Sequence, residues 1–142
     1  MDKAHLTAIA RNKLSRPAKW LIEHNMLCGD VLDYGCGRGY DATLCNFAKY
    51  DPYYSPDMPV GRFDYIMCNY VLNVIPDEDE RESVINDIRG RLLPGGIAYV
   101  SVRNDKKNLN GYTSKGTWQG LIELDLPVVT SNANFTMYKL EN

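Results

Sequence analysis

A chain of 142 residues, 44% hydrophobic and 24% charged, carries enough apolar material for one globular domain with a real core. Its formal net charge of -2 and pI of about 5.6 argue against a broad basic surface for nucleic acid. The first residues lack a secretory pattern, no apolar run reaches membrane-spanning length, and Cys28, Cys36, Cys45 and Cys68 form no CxxC pair. The expectation is a protein of the reducing cytoplasm with no membrane association, no disulfide framework and no metal site.

Residues 1–29 read as an N-terminal helical segment and residues 30–142 as an α/β core, together one domain. Within residues 5–26 the helix comes in two pieces, the second starting at Ser15 and Pro17, with Trp20, Leu21 and Leu27 as its apolar face. Cys28-Gly29-Asp30 ends it. The apolar run Val31-Leu32-Asp33-Tyr34 is a short buried strand that runs straight into glycines. A helix of about ten residues from Asp41 leads to a second short strand, Ala48-Lys49-Tyr50-Asp51. Phe63-Asp64-Tyr65-Ile66-Met67-Cys68-Asn69 is a third strand, followed by Val71-Leu72-Asn73-Val74-Ile75 and Pro76. The acids Asp77-Glu78-Asp79-Glu80 suit the positive end of a helix dipole, and Val84, Ile85, Ile88 and Leu92 share one face of that helix. Leu93-Pro94-Gly95-Gly96 turns into a fourth strand, Ile97-Ala98-Tyr99-Val100-Ser101-Val102. Residues 120–140 form two strands around the turn Ser131-Asn132-Ala133-Asn134. The order predicts an α/β sandwich, its sheet mostly parallel with an antiparallel C-terminal hairpin.

The chemistry concentrates after the first strand. Glycines at 35, 37 and 39 let a ligand approach the backbone at the sheet's carboxyl edge, where side chains would block it. Asp51 lies 16 positions after Gly35, the room needed for a turn, a helix and a return strand, and suits a pair of ribose hydroxyls. The glycine spacing differs from the dinucleotide fingerprint, and Asp33 would repel a pyrophosphate but attract an ammonium. A nucleoside carrying an amino acid therefore fits better than NAD.

Val31-Leu32-Asp33-Tyr34-Gly35-Cys36-Gly37-Arg38-Gly39, with Asp51 and Pro52, resembles the S-adenosylmethionine (SAM) motifs of class I methyltransferases. More narrowly, three stretches resemble methyltransferases associated with DNA phosphorothioation gene clusters. They are Thr7-Ala8-Ile9-Ala10-Arg11 with Leu14-Ser15-Arg16-Pro17, Asp33 through Gly39 with Asp51-Pro52-Tyr53-Tyr54, and Tyr70-Val71-Leu72-Asn73-Val74-Ile75. This similarity spans roughly residues 4–103. It implies a Rossmann-like sandwich, SAM as cofactor with S-adenosylhomocysteine (SAH) as product, and cofactor contacts from Asp33, Tyr34, Gly35, Cys36, Gly37, Asp51, Pro52, Tyr53 and Asn69.

The chain also departs from that family. Residues 52–62 are too few for the helix and strand that usually follow the ribose acid, since a crossover needs about a dozen residues or more. The sheet is expected to be reduced at that edge, leaving it open to self-pairing or a partner protein. Asp57 is then the local candidate for the adenine amino group, with Pro52, Tyr53 and Met58 packing around the ring. Asn69 and Tyr70, where amino-methylating DNA enzymes carry a proline-rich signature, are candidate catalytic residues, Asn69 orienting a target group or else capping the strand. Arg103, Asn104 and Asp105 stand at the next strand end, facing substrate or merely solvated; Arg16 and Lys19 could meet the methionine carboxylate or only water. Trp118 and Gln119 either line a substrate mouth or belong to the core, and His5 and His24 lack base or metal partners in the pattern. The reading is a methyltransferase whose acceptor, nucleic acid or small molecule, is not specified. Its rivals are a non-catalytic SAM-binding subunit and a SAM-cleaving enzyme.

Overall fold

A computed structural model describes residues 13–105 and 111–142. Ser15 begins helix α1 (Arg16–Glu23): its backbone is extended, its hydroxyl accepts the Ala18 amide at 3.4 Å, and Pro17 sits in the first turn. The same serine donates its amide and hydroxyl to the Asp41 carboxylate at 2.8 and 2.6 Å, tying α1 to the start of α2 (Tyr40–Cys45). Residues 5–12, where the earlier helical piece is expected, lie outside the described residues.

Six strands make the sheet. Four are parallel, β2 (Ala48–Tyr50), β1 (Val31–Tyr34), β3 (Phe63–Asn69) and β4 (Leu92–Arg103), in that spatial order. Antiparallel β8 (Phe135–Glu141) and β7 (Val128–Ser131) complete it, joined by a turn in which the Asn132 side chain accepts the Asn134 and Phe135 amides. The expected hairpin and the reduced edge are both present: β2 is outermost, and residues 52–62 form only a turn and loop.

Alternation along the strands splits the core in two. Ile66, Cys68, Ala98, Val100, Tyr138 and Leu140 face helix α3 (Glu78–Gly90), whose Ile88 is fully buried against them. Met67, Tyr99, Phe135 and Met137 point the other way, onto Ala18 and Leu21 of α1. Each fully buried Leu, Ile or Met side chain contributes roughly 2 kcal/mol, which fixes strand register because a one-residue slip would exchange the faces. Asp77 caps α3 through the Asp79 amide, and Glu78, Asp79 and Glu80 fill its first turn.

Three expectations need correction. Helix α2 has six residues, not about ten, because Asn46 turns left-handed (φ 57) and closes it. Leu93-Pro94-Gly95-Gly96 is not a turn between elements but a bulge within β4, which pairs at Leu92 and again from Ile97. Residues 120–127 form no strand. Their Ile122, Leu124 and Leu126 pack across the α3 face, off the sheet's hydrogen-bonding edges. A small hairpin not anticipated from the sequence, β5 (Gly111–Tyr112) with β6 (Trp118–Gln119), precedes them.

Ser15→Ala removes both a helix cap and a bond to Asp41. It is expected to lower stability by about 1–2 kcal/mol in urea unfolding, and a change below a few tenths would mean the cap carries no net energy.

Candidate cofactor and acceptor site

Between β1 and α2 the backbone takes left-handed angles at Gly35 (φ 76), Gly37 (φ 58) and Gly39 (φ 81). A methyl group at Gly35 would run into the Val71 side chain as well as strain the backbone. The Gly35 and Cys36 amides donate to the Tyr50 carbonyl at 2.7 and 2.9 Å, so the loop hangs from β2. Asp51, just past β2 and 9% exposed, fixes it further: one carboxylate oxygen accepts the Gly37 amide at 2.8 Å. The other accepts the Tyr53 and Tyr54 amides at 2.9 and 3.0 Å. A carboxylate offers about four acceptor positions, and three are taken. One remains open among the bonds made by the described residues.

Asp33, the last residue but one of β1, lies on the α1 side of the sheet, in register with Met67 and only 3% exposed. Burial and, after it, the Asp33 charge push the neighbouring Cys36 thiol up to about 12. Cys68 rises for the same two reasons. Both shifts favour the protonated thiol. Tyr34 follows Asp33 in β1 and points to the other face of the sheet. Its side chain faces α3, where the hydroxyl donates to Asp87 at 2.7 Å, and Asp87 in turn holds Arg91 at 3.1 Å. Only the Tyr34 backbone is left at the loop. Burial, then this bond, raises the Tyr34 pKa.

Beyond Asp51 the chain folds into a tight turn, Asp51 and Ser55 exchanging backbone bonds at 2.9 and 3.1 Å. Pro52 and Tyr53 stand on its outside; Tyr53 is 60% exposed and meets Tyr54 edge-on at 4.8 Å, with the Arg38 guanidinium 5.6 Å from the Tyr54 ring. Met58 packs against the α3-side core and Asp57 is exposed.

At the carboxyl end of β3 the structure separates readings that the sequence left level. Both polar atoms of the Asn69 side chain are buried without a hydrogen-bond partner among the described residues, so Asn69 does not cap its strand. Each such atom costs about 1–3 kcal/mol if left unpaired. Tyr70 follows at φ 62, rarely tolerated by a bulky residue, with its amide on the Ser101 carbonyl at 2.8 Å. Ser101, in register with Asn69 on β4, is 0% exposed, and its hydroxyl too has no partner among the described residues. The sequence reading passed over Ser101 because a serine inside an apolar strand gives no signal until its neighbour across the ladder is known.

The other candidates are held in structural contacts. Arg103 is bound by both oxygens of Asp105 at 2.8 and 2.9 Å, and Asn104 donates to Thr136. Lys19 pairs with Glu23 on the surface, and Arg16 is exposed. His24 stacks on Trp20, and His5 lies outside the described residues. Trp118 is half-buried, its ring against Gly120 and 5.7 Å from the Arg81 guanidinium. Gln119 accepts the Asn73 side-chain amide at 3.0 Å, pinning β6 on the 3-10 turn Leu72–Val74.

A family described as "Methyltransferase domain" matches residues 4–122. No curated protein matches the chain. Among solved structures, the Burkholderia thailandensis 1,6-didemethyltoxoflavin-N1-methyltransferase, with 1,6-didemethyltoxoflavin and SAH bound, superposes with a TM-score of 0.62 at 18% identity, covering 89% of this chain and 76% of that one. The N-methyltransferase NodS from Bradyrhizobium japonicum WM9, in complex with SAH, gives 0.56 at 12% identity, covering 89% and 85%. The residues present suit SAM as the cofactor of that fold: a left-handed glycine loop for close approach, the buried Asp33 carboxylate for its ammonium and one acceptor position on Asp51 for its ribose.

Tyr34→Phe tests the reassignment. It is expected to cost about 1 kcal/mol of stability through the lost Asp87 bond while changing SAM affinity by less than about twofold. A large loss of affinity in calorimetry would put the side chain back at the cofactor.

Proposed function

The chain belongs to the methyltransferase-domain family, and from that membership we propose that it transfers a methyl group from SAM to a small-molecule acceptor. The observation that carries this reading is the buried Asp33, the glycine loop and Asp51 gathered at the carboxyl edge of one parallel sheet. Asp33 would hold the amino group of the methionine end. The backbone of Tyr34, Gly35, Cys36 and Gly37 lets that end lie against the loop. Asp51 would bind one ribose hydroxyl, while Pro52 and Tyr53 would border the adenine. Asn69 and Tyr70 face the transfer region, Asn69 with hydrogen-bonding capacity to spare.

When bound, the cofactor supplies a methyl group on a positively charged sulfur, already reactive toward a nucleophile. The protein's part is alignment and exclusion of water. The register partner of Asn69 is Ser101, which is no general base, so the reading favours an acceptor that is nucleophilic without one, such as a free amine or ring nitrogen. The Burkholderia and Bradyrhizobium structures, both N-methyltransferases by name, support a nitrogen acceptor.

A second reading, a SAM-binding subunit that docks through its open β2 edge, is favoured by the short 52–62 connection that leaves that edge unpaired in the sheet. A SAM-cleaving enzyme would share the same loop. The likeness to phosphorothioation-associated methyltransferases points toward nucleic acid, but the cations of Arg91, Arg103 and Lys139 are each paired with a carboxylate. Among the described residues no helix is long and apolar enough to cross a membrane.

Asp51→Ala is expected to weaken SAM binding at least about tenfold in calorimetry, about 1.4 kcal/mol, since both the ribose contact and the loop clamp go. Unchanged affinity would displace the cofactor from this site. With duplex DNA, filter binding across salt should give weak affinity and a slope of about three or fewer; a steep slope would show a basic face and favour nucleic acid.

A further inference from the structure

Asn69 and Ser101 form a feature that cofactor binding does not absorb. They lie directly opposite each other on β3 and β4, with backbones about 4.8 Å apart as in any sheet ladder. Alternation puts both on the α1 side, the side of Asp33. Moving across the sheet from β1 to β3 to β4 therefore leads from the cofactor loop to Asn69 and then to Ser101. Together they present an amide N–H, an amide carbonyl and a hydroxyl, all buried and none with a partner among the described residues.

The chemistry of this pair is neutral. It offers donors and acceptors side by side and no net charge. The nearest cation along β4 on the same face, Arg103, is neutralised by the two-oxygen contact with Asp105. An anion placed against the Asn69 carbonyl would be repelled, and an ammonium would leave the Asn69 N–H unpaired. An amide edge, carbonyl and N–H together, matches both halves of the asparagine, with the serine hydroxyl taking up the remaining lone pair.

We propose that Asn69 and Ser101 anchor the methyl acceptor by an uncharged amide or lactam edge, selecting neutral acceptors over carboxylates and ammonium compounds. This rests on the methyl-transfer reading above. The amide edge is the handle by which the acceptor is held; the atom that takes the methyl group is another part of the same molecule. Asn69 and Ser101 thus act in positioning, and Ser101 is a specificity-determining residue.

Benzamide, benzoate and benzylamine have nearly one shape and differ in charge and hydrogen-bonding pattern, which makes them suitable probes. Titrated by NMR into the SAH-loaded protein at neutral pH, benzamide is expected to bind at least about tenfold tighter than either ion. Ser101→Ala should weaken benzamide at least about fivefold while SAH affinity stays within about twofold. Asn69→Asp should shift the preference to benzylamine, a gain that a merely structural role would not produce. Equal binding of all three probes, a preference of the native protein for an ion, or loss of SAH affinity in parallel with benzamide would overturn the proposal. Absence of any probe binding would do so too, marking the pair as hydrated polar groups. Failure to bind SAH at all would instead refute the cofactor reading, and the same titration of the unloaded protein would still test the pair.

Discussion

The Asp51 carboxylate is the joint on which the site depends. It draws three backbone N–H groups from two separate segments, one from the glycine loop and two from the turn that follows β2. Charge-assisted bonds of this kind are roughly twice as strong as neutral ones, and they hold a loop whose glycines would otherwise cost the most entropy to order. Because residues 52–62 provide neither helix nor further strand, the turn at Asp51 and Ser55 must end the sheet by itself. The same carboxylate thus ties the glycine loop to the turn that follows the outermost strand, while the β2 edge itself stays unpaired in the sheet.

The two faces of the sheet divide the remaining work. The α3 side is anchored by buried apolar side chains and, at its margin, by Tyr34 and Arg91 converging on Asp87. The α1 side carries apolar packing over most of its length but gives way, at the carboxyl ends of β1, β3 and β4, to Asp33, Asn69 and Ser101. Polar groups placed in a buried layer without protein partners weaken a fold, and they are tolerated where a ligand supplies the missing bonds. The left-handed Tyr70 adjoining Asn69 is a second local cost at the same spot.

Several polar residues that looked available in the linear chain are engaged, although the side-chain oxygens of Asn73 and Asn104 are, like those of Asn69 and Ser101, buried without a partner among the described residues. Arg103 and Asp105 neutralise each other, Asn104 braces β8, and Asn73 with Gln119 fastens the β5–β6 hairpin over the 3-10 turn. Charge around the glycine loop is mixed: Asp33 and Asp51 are joined by Arg38 within the loop and by Lys49, whose ammonium lies beside Gly39.

The sequence by itself determined the order of the parallel strands along the chain, the turn of the C-terminal hairpin, the glycine loop, the reduced edge and the place of Asp33 and Asp51. Those features rest on local rules: apolar runs bounded by turn residues, glycine where backbone must bend or be approached, and a connection too short for a crossover. The tertiary structure decided the rest. Whether Tyr34 faced the cofactor or α3 depended on Asp87, a residue 53 positions away that only folding brings to 2.7 Å. Residues 120–127, expected as strand, do bring apolar side chains to the core, but they lie across a face rather than along an edge and form a loop, since a strand needs a ladder partner as well as apolar residues. Ser101 was invisible for the same reason: an orphaned hydroxyl is a property of its surroundings, set by the register of β3 with β4 and not by the serine itself.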